Sequence, residues 1–596
     1  MSDSHFAKPV RDAVDHADGQ TFENSPLPPQ SPAPVRDKLG SDGGTIVLHW
    51  LTVLSMVASL LTGLRISADG INAPWAAGLT ALLPQGEIWT WHLVASLVLT
   101  FTIGAYYIYV RRGDLGARNG PRRFKTLTPP TNTRLRWRAI NVALHWLAYG
   151  AIAALTVTGA LLYLGHGGMS LTVHRALAWT MLFYILVHTL AHFFYGGIEQ
   201  LLRLFRPRPL METPSSKAWP MACALGIGTV VAGGLYAADL GTRDTVTVVK
   251  VQTAPALDGV LDDPVWQWAK PASTRTHQGA NLGASKPGEG VSLVTTRAVR
   301  DDTHIYFAFQ WQDPTRSLMR NPLIKKEDGW HVMAQRAAEA DVVDYYEDKF
   351  AVLFAHADKP GGAGSTFLGE DTLPAHAKSP HRRGMHYTVD GRMLDLWQWK
   401  ATRGGLLGHT DDMHIGPPKA ASAAQKAGDK RYAAGYDADP GKKIYEYNYK
   451  TPTRAAYNGP VEIKRLPRDL AGMRLQLGTV PKDADGQNDS GSQWWFTRDN
   501  SVPYDPGLDA AIPVGTILPS TLNIHTYAGD RADLSSGAKW KDGVWTLEVA
   551  RKLDTKSAFD TAFIPGTSLY AWVSVFDHNQ IRHTRHQRPI TLKIEP

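Results

Sequence analysis

Residues 171–196 read LTVHRALAWTMLFYILVHTLAHFFYG, and this stretch decides the fold of the N-terminal part of the chain. It exceeds the ~20 residues that a helix needs to cross a hydrocarbon core of ~30 Å. Its one charged side chain is Arg175, yet it also contains His174, His188 and His192. Ionisable groups inside a bilayer are costly and are mostly retained for a function. The stretch therefore predicts a membrane helix that carries a site.

Four further apolar segments of similar length surround this one along the chain, so we expect five membrane helices. The other four cover residues 46–66, 89–110, 139–164 and 218–238. With 596 residues, of which 43% are hydrophobic and 20% charged, the chain is neither one compact unit nor wholly disordered. A single cysteine, Cys223, excludes an internal disulfide, a CxxC zinc site and a CxxCH haem attachment. Any bound haem must be non-covalent.

The charges of the connecting loops predict how these helices cross the membrane. The loop between the second and third segments has a single acid, Asp114, among nine basic residues: Arg111, Arg112, Arg118, Arg122, Arg123, Lys125, Arg134, Arg136 and Arg138. Residues 66–90 and 164–173 contain no Lys or Arg. Because basic loops stay in the cytoplasm, the N-terminus is predicted to be cytoplasmic and everything after Leu240 periplasmic, in a bacterial inner membrane. These loops also account for much of the net charge of +8, so we do not predict nucleic-acid binding.

The predicted organisation has four parts. Residues 1–44 are polar and proline-rich and are expected to form a disordered cytoplasmic tail. Residues 45–200 are expected to form a four-helix α transmembrane bundle in contact with membrane lipid, and residues 201–246 a loop and a fifth helix. Residues 247–596 contain many short alternating runs between Gly, Pro and Asp, which predict an all-β antiparallel sandwich. Weak periodicity predicts a loop-rich insertion at about 401–500.

The membrane histidines fall into two levels. His174 and His188 are 14 residues apart, which places them ~40° apart around one helix and ~21 Å apart along it. The direction of each segment then puts His49 at the level of His188, and His92 at the level of His174. Two bis-histidine sites stacked in a helical bundle are the arrangement that two b-type haems need.

Residues 44–200 resemble the bacterial cytochrome b561 family and the related b-type subunits of nickel-iron hydrogenases. The resemblance rests on a His-Trp pair that opens the first helix, one histidine in the second, and two histidines 14 apart in the fourth. It implies these four haem ligands: His49, His92, His174 and His188. It also implies electron exchange with the membrane quinone pool.

Two membrane histidines remain outside this ligand set. His145 precedes Trp146 and mimics the first-helix motif, but it lacks a partner of clear geometry, so we expect a structural or quinone-side role. His192 lies one turn beyond His188 and is an alternative ligand in its place.

The C-terminal part resembles the haem-binding γ subunit of ethylbenzene dehydrogenase and its relatives. Four blocks carry the resemblance, in the order of that family: ALDGVLDDPVW from Ala256, EDKFAVLF from Glu347, LDLWQWK from Leu394 and WTLEVARKL from Trp545. The family is a β-sandwich, akin to a carbohydrate-binding module, that holds one b-type haem between a methionine and a lysine or histidine. The resemblance thus implies a third haem, in the periplasmic domain.

The ligands of that third haem are carried over by position. The methionine shortly before the LDLWQWK block is Met385, with Met319 and Met393 as alternatives. The family's second ligand follows the last long strand, where this chain reads FDHNQIRHTRH from Phe576 and has no lysine. In that segment we select His583. His586 is the second choice and His578 the third.

The joint prediction is an electron conduit between membrane quinol or quinone and a periplasmic redox protein, either a c-type cytochrome or a molybdenum enzyme. No GxSxG, HExxH, P-loop or dinucleotide motif occurs in the structural context that its chemistry requires. Catalysis would therefore be limited to quinol oxidation or quinone reduction. One alternative is a membrane-anchored protein that binds a carbohydrate-like ligand, with these tryptophans stacking on sugar: Trp397, Trp399, Trp494 and Trp495. Another confines haem to the bundle and makes the β domain a docking module.

Overall fold

The structure is a computed structural model, and it describes most of the chain after residue 39. The described residues are 40–68, 79, 82–113, 115, 120–128, 133–207, 215–279, 282, 290–333, 345–359, 365–367, 385–388, 390–427, 432–451, 459–477 and 493–596. The tail expected at 1–44 lies outside them except for its last few residues.

Five described helices are long and apolar enough to cross a membrane. They are α1 (Gly43–Ala68), α2 (Ile88–Arg112), α3 (Thr133–Tyr163), α4 (Met169–Leu202) and α5 (Ser215–Gly241). Their bounds lie within about two helical turns of the sequence-based segments. The prediction of five helices is confirmed, and the protein is a multi-pass membrane protein.

The first four helices form a bundle around a small apolar core. α1 packs on α2, α3 packs on α4, and α5 packs on the outside against α2. Met56, Leu99, Ala148 and Met181 contribute to this core, one from each helix of the bundle. The outer faces expose large apolar side chains such as Phe183, which suits contact with lipid.

Local interactions hold the start of α1 and the end of α4. Asp42 accepts hydrogen bonds from the backbone N–H of Thr45 (2.9 Å) and from the hydroxyl of Tyr109 in α2 (2.7 Å). The first contact caps α1, and the second ties it to α2. α4 is interrupted at Gly196 and Gly197, where Gly197 takes a φ of +65° that glycine tolerates best.

Short strands follow the helices, together with α6 (Ala423–Ala427), α7 (Leu470–Leu477) and α8 (Pro506–Ala510). The strands are β1 (Thr245–Lys250), β2 (Ala272–Gly279), β3 (Gly290–Arg300), β4 (His304–Gln312), β5 (Leu323–Lys326), β6 (Gly329–Val332), β7 (Lys349–Ala355), β8 (Ser365–Phe367), β9 (Met385–Tyr387), β10 (Leu394–Lys400), β11 (Asp411–Ile415), β12 (Tyr436–Ala438), β13 (Gly441–Lys442), β14 (Tyr445–Tyr447), β15 (Arg465–Pro467), β16 (Ser501–Pro503), β17 (Ile517–Leu518), β18 (Thr521–Asn523), β19 (Ala528–Gly529), β20 (Ser535–Lys541), β21 (Val544–Lys552), β22 (Ser568–Phe576) and β23 (Ile590–Ile594).

Twelve of these strands form one sheet that folds over on itself. Its order is β12-β11-β10-β7-β22-β23-β1-β3-β4-β21-β20, and β2 pairs with β3. β1 joins the two halves, because its first four residues pair with β23 and its last two with β3. Both pairings are parallel, whereas the other pairs in this sheet are antiparallel. The all-β domain is confirmed, and β1 is the departure from an antiparallel sheet.

Aromatic side chains fill the space between the two halves. Phe309 of β4 packs on Phe350 of β7 at 4.7 Å between ring centroids, and Trp399 of β10 packs on Trp545 of β21 at 4.9 Å. Each contact joins strands from opposite halves of the sheet, so the core has the layout of a sandwich. Within residues 401–500, expected to be mostly loop, β11 and β12 extend one half of the sheet.

The β domain lies on one end of the helical bundle, which we call the docked end. Lys359 pairs with Glu87 just before α2, at 2.5 Å between Nζ and Oε1. Arg588 pairs with Asp239 near the end of α5, at 2.9 Å between Nε and Oδ1. In the connection between α3 and α4, a side chain on Gly165 would collide with the backbone of β2. We call the opposite end of the bundle the distal end.

Three buried carboxylates meet in the β domain beside β7. Ligand atoms of Asp313, Asp348 and Asp577 all lie within 4.8 Å of one another. Asp348 accepts hydrogen bonds from the backbone N–H groups of Ser317 (2.7 Å) and His578 (3.1 Å), whereas Asp313 Oδ2 has no partner among the described residues. Burial, and next the negative charges of its two neighbours, raise the pKa of Asp313 well above its usual value.

We expect Asp313→Asn to stabilise the protein. A carboxyl whose pKa is raised in the folded state makes the protein less stable as the pH rises above the pKa of the unfolded chain. The stability gained by the substitution should therefore be larger at pH 8 than at pH 5. Its size should be on the order of 1–3 kcal/mol, the cost of an unsatisfied buried polar group. Thermal unfolding of the full chain in detergent measures it, with the exposed Asp302→Asn as control. A lower unfolding temperature in the variant, reproduced in the wild type by a chelator, would instead indicate a bound cation.

Candidate functional site

His92 and His174 approach each other near the docked end of the bundle. His92 lies in the first turns of α2 and His174 in the first turns of α4. Their ring centroids are 6.4 Å apart with an interplanar angle of 74°. Two imidazoles that share one metal ion, each with a metal–nitrogen distance of about 2 Å, have centroids roughly 6 Å apart. The separation therefore suits two axial ligands of one iron.

Hydrogen bonds define which nitrogen of His92 carries the proton. The hydroxyl of Thr62 in α1 donates to the carbonyl of Ala58 (2.7 Å) and lies 3.0 Å from His92 Nδ1. Because that hydroxyl has only one hydrogen, it accepts from Nδ1–H, as does the carbonyl of Ser59 at 3.1 Å. The lone pair of Nε2 is then available for a metal.

The same arrangement recurs at His174. The hydroxyl of Thr158 in α3 donates to the carbonyl of Ala154 (2.8 Å) and accepts from His174 Nδ1–H (2.9 Å). Each histidine is thus held by a threonine from the preceding helix. Outer contacts of this kind orient metal-ligating histidines and raise their basicity.

A glycine follows each of these threonines and gives the imidazole room. A Cβ atom on Gly63 would lie 3.2 Å from Cε1 of His92, and one on Gly159 would lie 3.4 Å from Cε1 of His174. A larger side chain at either position would crowd the ring. The tautomers, the separation and these small residues all fit a bis-histidine haem site.

Reasoning from histidines alone misses the threonines, although the sequence contains the signal. His49-Trp50 is followed by Thr62-Gly63, and His145-Trp146 by Thr158-Gly159, both with a spacing of 13 residues from His to Thr. α1 and α3 are therefore variants of one pattern. A search for repeats within the membrane segments finds both orienting residues.

At the distal end, three histidines cluster instead of two. Ring centroids of His188 lie 4.8 Å from His145 and 4.6 Å from His192. Ligand atoms of the three all lie within 4.8 Å of one another. His188 Nδ1 is buried and has no hydrogen-bond partner among the described residues. An unpartnered nitrogen inside an apolar bundle suits a site completed by a metal-bearing group.

Histidines other than His49 also lie close to His188 at the distal end. His49 interacts electrostatically with His188 and His145, but no ring contact with His188 is found in the described part. His145 Nδ1 donates to the carbonyl of Asn141 (2.6 Å), which leaves its Nε2 for another partner. His49, His145 and His192 are thus all near enough to His188 to be considered, and the pairing with His49 stays a prediction.

The C-terminal histidines differ in which ring nitrogens already have a partner within the protein. Both nitrogens of His586 are engaged, because Nε2 accepts from the backbone N–H of Val573 (2.9 Å) and Nδ1 donates to the carbonyl of Arg588 (2.6 Å). His578 Nδ1 lies 2.5 Å from the carboxylate of Asp577. These contacts occupy both nitrogens of His586 and Nδ1 of His578.

His583 uses only one ring nitrogen for a hydrogen bond among the described residues. Its Nδ1 donates to the carbonyl of Thr584 (2.7 Å), and its ring packs on Phe576 at 4.8 Å between centroids. No hydrogen bond to Nε2 occurs among the described residues. Burial lowers the pKa of His583 to about 3, so the ring is neutral at neutral pH and can act as a ligand.

The three methionine candidates also differ in their surroundings. Met319 is 1% exposed and is packed among other apolar side chains in the core of the β domain. Met393 packs its sulfur against Gly416. Met385 begins β9, but its side chain lies outside the described part. Its neighbour His386 is close enough to His583 to lower the pKa of that ring further.

The tryptophans proposed for stacking on sugar are unsuited to that role. Their exposed fractions are 1% for Trp397, 1% for Trp399, 3% for Trp494 and 8% for Trp495. All four belong to the main hydrophobic core. They stabilise the sandwich and offer no surface to a carbohydrate.

Comparison with known proteins gives two family matches. The ethylbenzene dehydrogenase family matches residues 263–588, and the prokaryotic cytochrome b561 family matches residues 41–207. No curated protein matches the chain. The second match supports a membrane b-type cytochrome that binds b-type haem and transfers electrons.

Solved structures that resemble the chain cover a little over half of it. A carbohydrate binding module of family 9 from Caldicellulosiruptor kristjanssonii in complex with glucose is 10% identical, with a TM-score of 0.20, and covers 59% of this chain and 96% of that one. A putative carbohydrate-binding protein from Bacteroides uniformis ATCC 8492 is 7% identical, with a TM-score of 0.23, and covers 59% of this chain and 100% of that one.

The family matches follow the division between helices and strands. The match over residues 263–588 spans most of the strands, and the match over 41–207 spans the four helices that carry the paired histidines. By the extent of the first match, the chain belongs to the ethylbenzene dehydrogenase family, and it joins to that domain a bundle that matches the prokaryotic cytochrome b561 family.

Proposed function

We propose that the protein passes electrons between membrane quinol or quinone and a periplasmic redox partner through two b haems in the bundle and one in the β domain. The observation that carries the proposal is the approach of His92 and His174, with both Nδ1 atoms engaged by threonines. When bound, haem supplies a reversible one-electron change at iron. The remaining chemistry belongs to the side chains that hold it.

The bundle provides two sites at different depths. His92 and His174 hold the haem near the docked end, while His188 holds the second haem with His49 as its predicted partner. The two ligands of α4 are ~21 Å apart along the helix, so His174 and His188 would hold two separate haems at different depths of the bundle, each supplying a one-electron redox centre. Apolar packing around Met181 excludes water from the space between them.

The distal end is the proposed quinone side. His145 and His192 lie beside His188 and are in place to accept the protons that quinol releases on oxidation, or to donate them in the reverse direction. The basic loop between α2 and α3 supports a cytoplasmic location for this end, in a bacterial inner membrane. The β domain is then periplasmic.

The third haem is proposed to lie in the β domain between His583 and Met385. The Nε2 of His583 supports its role, since both nitrogens of His586 are hydrogen-bonded and Nδ1 of His578 lies against the Asp577 carboxylate. From there an electron leaves for a c-type cytochrome or a molybdenum enzyme, or arrives from it. The family of the β domain is consistent with such a partner.

We expect three haems per chain in the purified full-length protein, and two in each of His174→Ala and His188→Ala. Each substitution removes one axial ligand, and the second site is too far away to be affected directly. The pyridine haemochrome assay against protein concentration measures the ratio. The exposed His525→Ala is the control. Unchanged haem content in both ligand variants would refute the assignment.

We expect His583→Ala to lose the third haem and to keep both membrane haems. Met385→Ala should do the same. If Met385→Ala instead retains the haem and His386→Ala loses it, the second ligand is His386 and not Met385. Near-infrared magnetic circular dichroism of the ferric protein distinguishes methionine from bis-histidine ligation. Full haem content in His583→Ala would confine haem to the bundle.

We expect Thr158→Val to weaken haem binding at the docked end by roughly 10-fold to 100-fold, as loss of such an outer contact typically does. Valine keeps the shape of threonine but cannot accept from His174 Nδ1–H. Haem loss to apomyoglobin measures the affinity. Thr180→Val is the matched control, because that hydroxyl is exposed and bonds to the carbonyl of Ala176 in its own helix. Equal haem loss in the two variants would contradict the role of Thr158.

A further inference from the structure

A single β-bridge of the β domain spans the docked end of the bundle. His277 in β2 and Arg585 exchange backbone hydrogen bonds, at 2.9 Å from His277 N to Arg585 O and 2.8 Å in the reverse direction. The bridge joins β2, in one half of the sheet, to the segment between β22 and β23 in the other half. It fixes these two side chains next to each other.

The two sides of this bridge contact α2 and the connection that leads into α4, the two helices that carry the docked-end ligands. On one side, a Cβ atom on Gly167 would lie 3.3 Å from His277 Nδ1, so the imidazole rests on the connection that leads into His174. On the other side, the guanidinium of Arg585 lies over the ring of Trp89 at 4.6 Å, three residues before His92. The bridge therefore contacts the chain just before His174 and just before His92, at the end of the bundle where the two rings approach each other.

His277 is buried in this position without a well-aligned hydrogen bond. It is 1% exposed, and neither ring nitrogen makes a hydrogen bond of good geometry among the described residues, although the carbonyl of Leu162 at the end of α3 is close enough to raise the pKa of the ring. A buried polar group without a good hydrogen bond is unfavourable, so a fixed partner is expected. Burial, and next the charge of Arg585, lower the pKa of His277 to about 3. The neutral ring then has one N–H to donate, and an acceptor better aligned than the Leu162 carbonyl would satisfy it.

Haem itself offers acceptors of the right kind. A b-type haem bears two propionate carboxylates at one edge, and these charged groups need donors where they leave the apolar interior. We propose that His277 donates a hydrogen bond to a propionate of the haem held by His92 and His174, with Arg585 beside it as the cation, so that the β domain completes a membrane haem site. The inference rests on the proposed function.

A pair of variants of similar size tests the hydrogen bond in the full-length protein. His277→Leu fills the space but cannot donate, whereas His277→Gln retains a donor. We expect His277→Leu to lower the midpoint potential of one haem and leave the others unchanged, because a less compensated carboxylate favours ferric iron. His277→Gln should stay near the wild type. Spectroelectrochemical titration measures the potentials, and His525→Ala is the control.

Reconstitution with haem dimethyl ester shows whether the propionate is the partner. The ester has no carboxylate charge, so the difference between His277→Leu and His277→Gln should disappear. Equal potentials of the two variants with native haem, or a difference that persists with the ester, would overturn the inference. These outcomes are distinct from a failure of the proposed function, in which His174→Ala retains all its haem.

Discussion

The structure depends on holding two neutral imidazoles at a fixed separation inside an apolar bundle. A histidine ring in lipid is unfavourable unless its nitrogens are satisfied, and here each ring is satisfied on one side by a threonine of the preceding helix. The helix hairpins α1–α2 and α3–α4 are therefore the units that set ring orientation. Packing of one hairpin on the other then sets the distance between His92 and His174. Residues that contact no cofactor, Thr62 and Thr158, thus determine the geometry of the site.

Sequence reasoning succeeds where a single physical constraint dominates. The bilayer fixes the length of an apolar helix, so the five helices could be placed from composition alone. Helix direction and rise then put His92 level with His174. The distal end could not be resolved in this way, because His49, His145 and His192 all lie at about the same depth as His188. Choosing among them requires side-chain directions, which depend on how the helices rotate against each other.

In the β domain, the sequence predicts the class of fold but not the use of individual side chains. Trp397 and Trp399 alternate along a strand like residues of a binding face, yet the sheet folds over and buries every residue of that strand. The three histidines after β22 look equivalent in sequence. Only the backbone partners of His586 and the carboxylate beside His578 set His583 apart. Long-range pairings of this kind have no local sequence signal.

The direct passage from α5 into β1 has a consequence for biogenesis. α5 ends at Gly241 and β1 begins at Thr245, so the strand that joins both halves of the sheet starts almost at the membrane surface. Its first pairing, Thr245 with Thr591, must wait until the ribosome has made the very distant β23. Because contacts so remote in sequence form late, chaperones should meet an open sheet during synthesis. Closure of the sandwich, and with it the docking of His277, would then be the last step of assembly.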